Sequence, residues 1–473
     1  MAKVMMVASE AAPFAKTGGL ADVLGALPAA LVRLGVSASV VIPKYRGLHP
    51  PGVELVLENM PVFINHFRHR TDIWRLDRDG VRFYFVEAPW FFDRDGVYSS
   101  YGNDYIDNHL RFAVLSLAAL GIARQIEHPD ILHSHDWQAA LAPIYAKSWF
   151  AHDPRLAAMK HVFTIHNLGY QGRFEKKILW ELGLDGSQFN QEELEYFGDL
   201  NLMKGAIVAA DFITTVSPTY AREIQTEEHG FGLDGLLRAR SGQLTGILNG
   251  VDYAEWDPAT DRHLPAHFDA SNLEGKAECK RALLDALGFG AEAHDRPLIG
   301  VVSRFAEQKG FDLLEPIGDE LMKEDVTLIA LGSGEPHYEW IFHDLTERHH
   351  DKVRVWHGYN NGLAHLIEAG SDMFLMPSRY EPCGLNQIYS LKYGTPPVVR
   401  ATGGLADTIE ESTGFKFGEN SPAALLSTLR HALQCWRDRA AWQERMRLGM
   451  SKDFSWDRSA AEYGALYGRL LGG

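Results

Sequence analysis

The stretch Lys16-Thr17-Gly18-Gly19-Leu20-Ala21-Asp22 joins a short apolar run at residues 4–8 to an apolar segment at residues 23–31. A second apolar run, rich in β-branched side chains, follows at residues 38–43. This order predicts a strand, a glycine turn, a helix and a paired strand, which together form a βαβ unit. Glycines in such a turn let the backbone come close to a ligand, and the helix N-terminus favours an anion or a hydroxyl-rich group. The chain is therefore predicted to be an α/β protein with a ligand-binding turn.

The sequence from Thr17 to Asp22 recurs as Thr402-Gly403-Gly404-Leu405-Ala406-Asp407, with the aspartate at the same distance from the two glycines. A helix-start turn repeated by chance accounts for the two copies about as well as a shared function does. Lys16 precedes only the first copy. We interpret the copies as the two lips of one ligand-binding cleft, an interpretation that the other motifs have to support.

Length, charge and cysteine usage exclude several classes of protein. A chain of 473 residues is too long for one core and predicts two or three domains. The net charge of −16, from 46 basic and 62 acidic residues, argues against a nucleic-acid partner or an anionic membrane surface. Cys279, Cys383 and Cys435 lie far apart without metal-ligand spacing, and no stretch has the length of a membrane span. We therefore expect a cytoplasmic protein with no disulfide framework; the oligomeric state is left open.

Two series of strands are separated by an irregular polar stretch. In the second half, apolar runs end near residues 303, 331, 356, 376 and 399, which predicts a second doubly wound sheet. The boundary is placed after residue 250, giving domains at 1–250 and 251–455. An amphipathic segment from residue 456 to the end at residue 473 predicts a helix that packs on one of the two domains.

Polar side chains follow two strands of the first half at the point where each strand ends. Asp136 follows the apolar run before His133, and His166 with Asn167 follows residues 162–165. Ligands collect outside the carboxyl ends of parallel strands, so these residues are candidates for a site. A half-buried, hydrogen-bonded imidazole without function is the alternative for His166. His133 and His135 have the spacing of a metal pair but lack a third ligand, so no metal site is predicted.

Two Asp-Arg-Asp triplets, at residues 77–79 and 93–95, resemble metal-binding sequences. Each runs into a turn glycine, Gly80 or Gly96. Solvated turns are therefore favoured over a metal site.

In the second half, Arg304 and Lys309 stand just before a predicted helix start, a combination that suits a phosphate group. A solvated surface loop is the alternative. Gly334 lies in another glycine turn, although the spacing of a dinucleotide fingerprint is absent. Tyr359 follows the next strand and could stack on a base, or simply pack.

The densest group of polar and turn-forming residues is the stretch from Pro377 to Tyr389. Glu381 lies there in a turn constrained by proline and glycine, ahead of an apolar helix. A catalytic or binding role is favoured over that of a carboxylate that merely complements a helix dipole.

Several motifs in one order resemble those of bacterial glycogen synthases, a family that also includes plant starch synthases. The similarity extends from the first strand to Trp456 and covers practically the whole chain. The motifs that carry it are Lys16-Thr17-Gly18-Gly19-Leu20, His135-Asp136-Trp137, Thr164-Ile165-His166-Asn167, Asn249-Gly250-Val251-Asp252, Arg304 with Lys309, and Ser378-Arg379-Tyr380-Glu381-Pro382-Cys383-Gly384-Leu385.

The resemblance implies a GT-B architecture, with two Rossmann-like doubly wound domains facing across a deep cleft. It also implies that the helix at 456–473 packs back on the N-terminal domain. The implied reaction transfers glucose from ADP-glucose to the non-reducing end of an α-1,4-glucan such as glycogen, with retention of configuration. Neither a cofactor nor an essential metal is expected.

The resemblance also implies roles for individual residues. Arg304 and Lys309 would bind the diphosphate, Lys16 with Gly18 would reach the donor, and Tyr359 would stack on adenine. Asp136, His166 and Asn249 would position donor sugar and acceptor, and Glu381 would lie at the reacting sugar. Glu381, Asp136, His166 and Lys16 are the expected catalytic residues. The further substrate-binding candidates are Asp22, Gly334, Cys383, Gly384, Leu385, Thr402, Gly403 and Gly404.

One position departs from a pattern common among retaining enzymes of this architecture, Glu-x7-Glu. The eighth residue after Glu381 is Tyr389, so a role that needs a second carboxylate there is in doubt. The sequence places no nucleophile, which leaves both a front-face reaction and a double displacement open. It also leaves open UDP-glucose as donor, a glucan phosphorylase, a transferase to a small acceptor, and a catalytically silent glucan-binding protein.

Overall fold

The computed structural model describes residues 2–100 and 102–472. The chain forms two compact units. Unit 1 consists of Met1–Val216, Ala221–Gly250 and Trp456–Gly473, and unit 2 consists of Ser217–Tyr220 and Val251–Ser455.

The strands, in chain order, are β1 (Lys3–Val7), β2 (Ser37–Pro43), β3 (Glu54–Ile64), β4 (Phe67–Arg78), β5 (Val81–Glu87), β6 (Ser99–Ser100), β7 (Asn103–Asp104), β8 (Ile131–His135), β9 (Lys160–Ile165), β10 (Arg173–Glu175), β11 (Glu195–Tyr196), β12 (Asp199–Asn201), β13 (Phe212–Thr215), β14 (Leu244–Gly246), β15 (Leu298–Val302), β16 (Thr327–Gly332), β17 (Val353–His357), β18 (Met373–Met376), β19 (Pro397–Arg400) and β20 (Phe415–Phe417).

The α-helices are α1 (Gly19–Arg33), α2 (Pro89–Phe92), α3 (Asn108–Ile122), α4 (Leu141–Lys147), α5 (Pro154–Ala157), α6 (Ile178–Glu181), α7 (Leu202–Ala209), α8 (Pro218–Glu223), α9 (Asp234–Ala239), α10 (Glu274–Ala286), α11 (Gly318–Leu321), α12 (Pro336–Arg348), α13 (Asn361–Gly370), α14 (Asn386–Lys392), α15 (Gly403–Thr408), α16 (Pro422–Trp436), α17 (Arg439–Met450) and α18 (Trp456–Leu470). A π-helical turn, Ala123–Glu127, extends α3. None of the described helices is long and apolar enough to cross a membrane.

The main sheet of unit 1 has the order β14-β13-β9-β8-β1-β2-β5-β4-β3. The strands from β14 to β5 run parallel, and β4 and β3 are added antiparallel through the hairpin at Asp79-Gly80. The central parallel strands β1, β2, β8 and β9 are buried along most of their length, as expected for a parallel sheet with helices on both faces. The predicted βαβ unit is confirmed, with β1, α1 and β2 in the expected places.

The C-terminal helix α18 belongs to unit 1 and packs against α1. Its buried face, including Tyr463, Leu466 and Tyr467, joins the same apolar core as Leu24 and Leu27 of α1. Every third or fourth residue of α18 is apolar, and this spacing makes the buried face continuous.

Unit 2 contains a parallel sheet in the order β17-β16-β15-β18-β19-β20. Its core lies between the sheet and α12, α16 and α17, and includes Phe305, Phe311, Phe342 and Trp442. The short strand β20 is not among the predicted strands, since three residues with one exposed side chain give too little periodicity.

Each sheet changes winding direction once at its centre. The chain moves outward from β1 to β2 and then returns to β8 on the other side; likewise it moves from β15 to β16 and β17, then returns to β18. At such a point the turns after neighbouring strands diverge and leave a crevice. The turns after β1 and β8 in unit 1, and after β15 and β18 in unit 2, are therefore the favoured places for ligands.

Candidate functional site

The turns that follow β15, β16, β18 and β19 form one connected surface at the carboxyl edge of the unit 2 sheet. The Phe305 amide donates to the Ser333 carbonyl at 2.9 Å, and the Arg379 amide donates to the Gln308 carbonyl at 2.9 Å. The Gly404 amide donates to the Glu381 carbonyl at 3.1 Å. These backbone hydrogen bonds hold the four turns in fixed positions relative to one another.

Glycines allow two of these turns to touch. Gly310 has φ of +68° and Gly403 has φ of +43°. A Cβ at Gly310 would lie 2.2 Å from the Pro377 carbonyl oxygen, and one at Gly403 would lie 1.9 Å from the Glu381 carbonyl oxygen. Both the backbone conformation and the available space therefore require glycine.

Glu381 is buried in this surface and is paired with Lys309. The Lys309 Nζ donates to the Glu381 Oε2 at 2.6 Å, and the Ser378 hydroxyl donates to the same oxygen at 3.1 Å. The two residues are 72 positions apart and are brought together because β15 and β18 are neighbours in the sheet. The pair places an ammonium and a carboxylate side by side at the strand ends.

Arg304 lies on the same turn as Lys309 but is exposed. Within the described residues its guanidinium makes no hydrogen bond or ion pair, so it can bind a ligand without losing a protein partner. Arg379 is occupied by contrast, because its Nη2 contacts the Asp312 Oδ2 at 2.5 Å. The turn after β15 therefore carries the exposed Arg304 and the partly buried Lys309, and Lys309 pairs with Glu381.

Tyr359 follows β17, two strands from β15, and its ring is 83% exposed. Its hydroxyl donates to the Asn361 Oδ1 at 2.8 Å. The ring is therefore held from one end while its faces stay open, as stacking on a planar ligand requires.

In unit 1 the first glycine turn is anchored by Glu10, a buried carboxylate after β1. The Thr17 hydroxyl donates to the Glu10 Oε1 at 2.7 Å, and the Thr17 amide and the Tyr98 hydroxyl also donate to this carboxylate. Lys16 contacts the Asp22 Oδ1 at 2.6 Å on the same turn. Glu10 was not predicted, although it follows β1 just as Asp136 follows β8, and the same strand-end rule could have found it.

Asp136 is held in an unusual backbone conformation, with φ of +55°. Its amide donates to the Thr164 carbonyl at 3.0 Å, and its Oδ1 accepts from the His166 amide at 2.8 Å. Burial raises the pKa of Asp136 to about 7, Glu10 adds to this effect, and the His166 and Asn167 amides oppose it. Positive φ in a non-glycine residue is costly and persists where surrounding contacts impose it, often at functional sites.

The imidazole rings of His166, His135 and His133 lie in contact with one another in unit 1. The His166 Nε2 shares a hydrogen bond of 2.9 Å with the His135 Nδ1, and the His135 ring lies 4.2 Å from the ring of His133. The His133 Nδ1 lies 2.8 Å from the Tyr467 hydroxyl of α18. Burial lowers the pKa of His166 and of His133 to about 3, so these rings are neutral at pH 7.

Asn249 lies just after β14 and is buried. Among the described residues its Oδ1 has no hydrogen-bond partner, and the same holds for the His135 Nε2. A buried polar atom without a partner is costly, and a bound ligand can satisfy it. In the described part of the chain no group of three or more His, Cys, Asp and Glu residues could hold a metal ion.

The structure joins some of the predicted residues directly. Glu381 pairs with Lys309, Asp136 bonds the His166 amide, and Lys16 pairs with Asp22. Gly334, Cys383, Gly384, Leu385, Thr402, Gly403 and Gly404 lie in the turns at the edge of the unit 2 sheet. The two Asp-Arg-Asp triplets differ from each other, since Asp79 lies in a hairpin turn whereas Asp93 and Asp95 both bind Arg46.

Asp136→Asn is expected to change how stability depends on pH. A carboxyl with a pKa near 7 in the folded protein and about 3.9 in the unfolded chain stabilises the fold below pH 4, and this stability is lost as the pH rises to 7. Asparagine does not titrate, so the melting temperature of the variant minus that of wild type should rise by about 5 °C from pH 4.5 to 8. Asp104→Asn, at an exposed position of unit 1, is the control. A difference that is constant with pH would show that Asp136 is ionised throughout.

Two doubly wound parallel sheets form the α/β fold of GT-B glycosyltransferases, and the comparisons with known proteins place this chain in that class. Residues 3–239 match the starch synthase catalytic domain family, and residues 289–448 match glycosyl transferases group 1. A glycogen synthase of Koribacter versatilis is 50% identical, covering 98% of this chain and 97% of the relative. A glycogen synthase of Anaeromyxobacter dehalogenans is 49% identical and covers 99% of each chain. The chain belongs to the glycogen and starch synthase family.

Solved structures agree with this assignment. The catalytic domain of starch synthase IV from Arabidopsis thaliana, bound to ADP and acarbose, has a TM-score of 0.91 and 33% identity, covering 100% of this chain and 99% of the other. A sucrose-phosphate synthase of Thermosynechococcus elongatus has a TM-score of 0.61 at 16% identity, with 100% and 99% covered, and shares the fold. The resemblance to glycogen synthases and the predicted α/β GT-B fold class are confirmed.

Proposed function

We propose that the protein elongates an α-1,4-glucan by transferring glucose from ADP-glucose to its non-reducing end, with retention of configuration and release of ADP. The observation that carries the proposal is the Lys309–Glu381 pair at the switch point of unit 2, beside the exposed Arg304. The likeness to a starch synthase domain bound to ADP supports the choice of nucleotide.

The donor diphosphate is assigned to Arg304 and Lys309. An exposed guanidinium can bind two phosphate oxygens at once, and the Lys309 ammonium adds a point charge. When the bond between sugar and phosphate breaks, negative charge develops on the departing ADP. The two cations stabilise that charge, and Lys309 is already held in place by Glu381; this is the main electrostatic contribution expected here.

Glu381 serves the other side of the same bond. Positive charge develops at the anomeric carbon, and a buried carboxylate held by Lys309 and Ser378 is fixed in place to stabilise it. A carboxylate would repel the diphosphate, so binding the phosphates is not its role.

Side chains of unit 1 are assigned to the sugar groups. Asp136 and His166 would bind hydroxyls of the donor glucose and the acceptor, Asn249 would offer its buried Oδ1, and Lys16 with Gly18 would contact the donor. Because His166 is neutral, its ring can accept or donate one hydrogen bond without adding charge. Asp22 would hold Lys16 in position through their ion pair.

The acceptor hydroxyl loses a proton as its oxygen bonds to the anomeric carbon. A departing phosphate oxygen on the same face can take that proton, which accounts for retention without a dedicated base. A double displacement through a covalent glucosyl intermediate is the competing route. The protein is proposed to act in the cytoplasm, where its three cysteines would stay reduced.

The proposal is tested by incubating the protein with glycogen and either ADP-glucose or UDP-glucose. Release of nucleoside diphosphate together with a gain of labelled glucose in glycogen is expected, with ADP-glucose the better donor. Diphosphate release without incorporation would indicate hydrolysis. No turnover of either donor, together with glycogen binding, would indicate a silent glucan-binding protein and overturn the proposal.

Tyr359→Ala is expected to weaken ADP binding by about twofold to tenfold, because one aromatic stacking contact contributes about 0.5–1.5 kcal/mol. Tyr359→Phe keeps the ring and loses only the hydrogen bond to Asn361, so its affinity should stay close to wild type. Calorimetry with ADP measures both variants. Equal affinity of Tyr359→Ala and wild type would remove Tyr359 from the adenine site.

A further inference from the structure

Gln387 is a fully buried polar side chain of α14 to which the proposed reaction gives no role. Its Nε2 donates to the Cys383 carbonyl and to the Gly384 carbonyl, each at 3.0 Å, and lies 3.2 Å from the Thr408 hydroxyl. Carbonyl oxygens accept but cannot donate, so the NH2 end of the Gln387 amide has to face them. Its Oε1 has no hydrogen-bond partner in the described part of the chain, which is the cost of that orientation.

Every backbone carbonyl of residues 379–384, the turn that carries Glu381, accepts a hydrogen bond from a donor in unit 2. Gln387 donates to the last two of these carbonyls, those of Cys383 and Gly384. The backbone of the turn is therefore fixed residue by residue, and Gln387 fixes its final part. The donors to the other four carbonyls, in chain order, are the side chains of Arg400 and Gln308, the Gly404 amide and the Ser217 hydroxyl.

A carbonyl that is held in place also fixes the amide of the next residue. The peptide group is planar and trans, so the C=O of one residue and the N–H of the next point in opposite directions. Since the Cys383 and Gly384 carbonyls face Gln387, the amides of Gly384 and Leu385 point away from it. Neither amide donates a hydrogen bond within the described residues, and both residues are partly exposed. The segment therefore presents two oriented donors that a ligand can use.

These two amides belong to a segment that is tied to the turn after β15, which carries the cations assigned to the diphosphate. The Asn386 Nδ2 donates to the Val302 carbonyl at 2.7 Å, so the residue after Leu385 is fixed to the end of β15. At the other end of the segment, Glu381 pairs with Lys309. Hydrogen bonds from backbone amides to an anion are stronger than those to a neutral acceptor.

We propose that Gln387 is a positioning residue for the donor, which holds the Gly384 and Leu385 amides in the orientation in which they donate to the diphosphate. The inference rests on the proposed function for the identity of the donor. Gln387 acts only through the two carbonyls and does not touch the substrate. Because the amides are oriented before the donor binds, they stabilise the charge that develops on the departing ADP without reorganising.

Gln387→Met keeps the length of the side chain and removes both N–H donors, so the two carbonyls are free to turn. Calorimetry on the intact chain is expected to show ADP binding that is about tenfold to a hundredfold weaker, because hydrogen bonds to a charged group are strong. Pyrophosphate, the probe for the phosphate site alone, should lose affinity by the same factor. Adenosine has no phosphate, so its affinity should stay within about twofold of wild type.

Two further variants complete the test. Thr408→Val keeps the shape of the side chain and removes one acceptor of the Gln387 amide, while both carbonyl contacts remain. It should weaken ADP and pyrophosphate binding by about twofold to fivefold and leave adenosine binding unchanged. Gln443→Met makes the same substitution at an exposed position of α17, and should leave all three affinities unchanged.

Unchanged affinity for ADP and pyrophosphate in a folded Gln387→Met protein would overturn the inference. So would an equal loss for ADP and adenosine, because that result indicates a side chain that only supports the fold. If Gln387→Met does not fold, the same comparison in Thr408→Val decides. If wild type transfers glucose from neither donor yet Gln387→Met still loses affinity for pyrophosphate, the proposed reaction fails while the positioning role stands.

Discussion

Glu381→Gln is expected to lower kcat by roughly 10²–10³, the loss typical of a preorganised group that stabilises charge in the transition state. The substitution keeps the shape of the side chain and removes its charge. ADP affinity should hold or rise, because Lys309 no longer shares its charge with a carboxylate 2.6 Å away. Steady-state kinetics with ADP-glucose and glycogen measure kcat, and calorimetry measures ADP binding.

A different result is expected for the same variant if Glu381 has only a structural role. If it only complements a helix N-terminus, the loss is about 0.3–1 kcal/mol of stability with kcat within a few-fold of wild type. Glu419→Gln, at an exposed position of unit 2, controls for the loss of one negative charge. A near-normal kcat in Glu381→Gln would remove Glu381 from catalysis.

Lys309→Ala is expected to weaken ADP binding by tenfold to a hundredfold and to lower kcat/KM at least as much. A charge-assisted contact to phosphate contributes roughly 1.5–3 kcal/mol. The variant should also melt at a lower temperature, because removing one partner of a buried pair leaves the Glu381 carboxylate uncompensated. Lys323→Ala, at an exposed lysine of unit 2, should leave ADP affinity, kcat/KM and the melting temperature unchanged.

The double variant Lys309→Ala/Glu381→Gln separates binding from pairing. The stability lost in Lys309→Ala should be largely restored, because no unpaired carboxylate remains, whereas ADP affinity should stay low. ADP binding that is unaltered in a folded Lys309→Ala protein would show that Lys309 serves only to hold Glu381.

Much of the fold was predictable because the central strands of each sheet are mostly buried and run in one direction. Residues 4–8 and 38–43 predicted β1 and β2 to within one residue at each end, since a run apolar on both faces has few alternatives. The structure places a strand at Leu244–Gly246, immediately before the apolar pair Ile247-Leu248 that favours a strand in the sequence. Ile247 and Leu248 lie beyond the β13–β14 pairing. Of these two residues, only Ile247 donates its amide to β13, to the Thr215 carbonyl.

The polar strand ends were predictable as well, since ligands of parallel sheets collect at carboxyl edges wherever the chain reverses winding. Asp136 and His166 follow β8 and β9 directly, and Arg304 and Glu381 lie in the turns after β15 and β18. Their functional roles remain predictions, which the substitutions above test.

The partners of these side chains were not predictable, because they depend on strand order and register over long separations in the chain. The local sequence does not show that Lys309 and Glu381 pair, although they are 72 residues apart. Nor does it show that His133 is hydrogen-bonded to Tyr467, 334 residues away. Sequence by itself determined which residues stand at the strand ends and to which family they belong. Only the tertiary structure decided which charges neutralise one another and which rings stay exposed, because both depend on distances that sheet order sets.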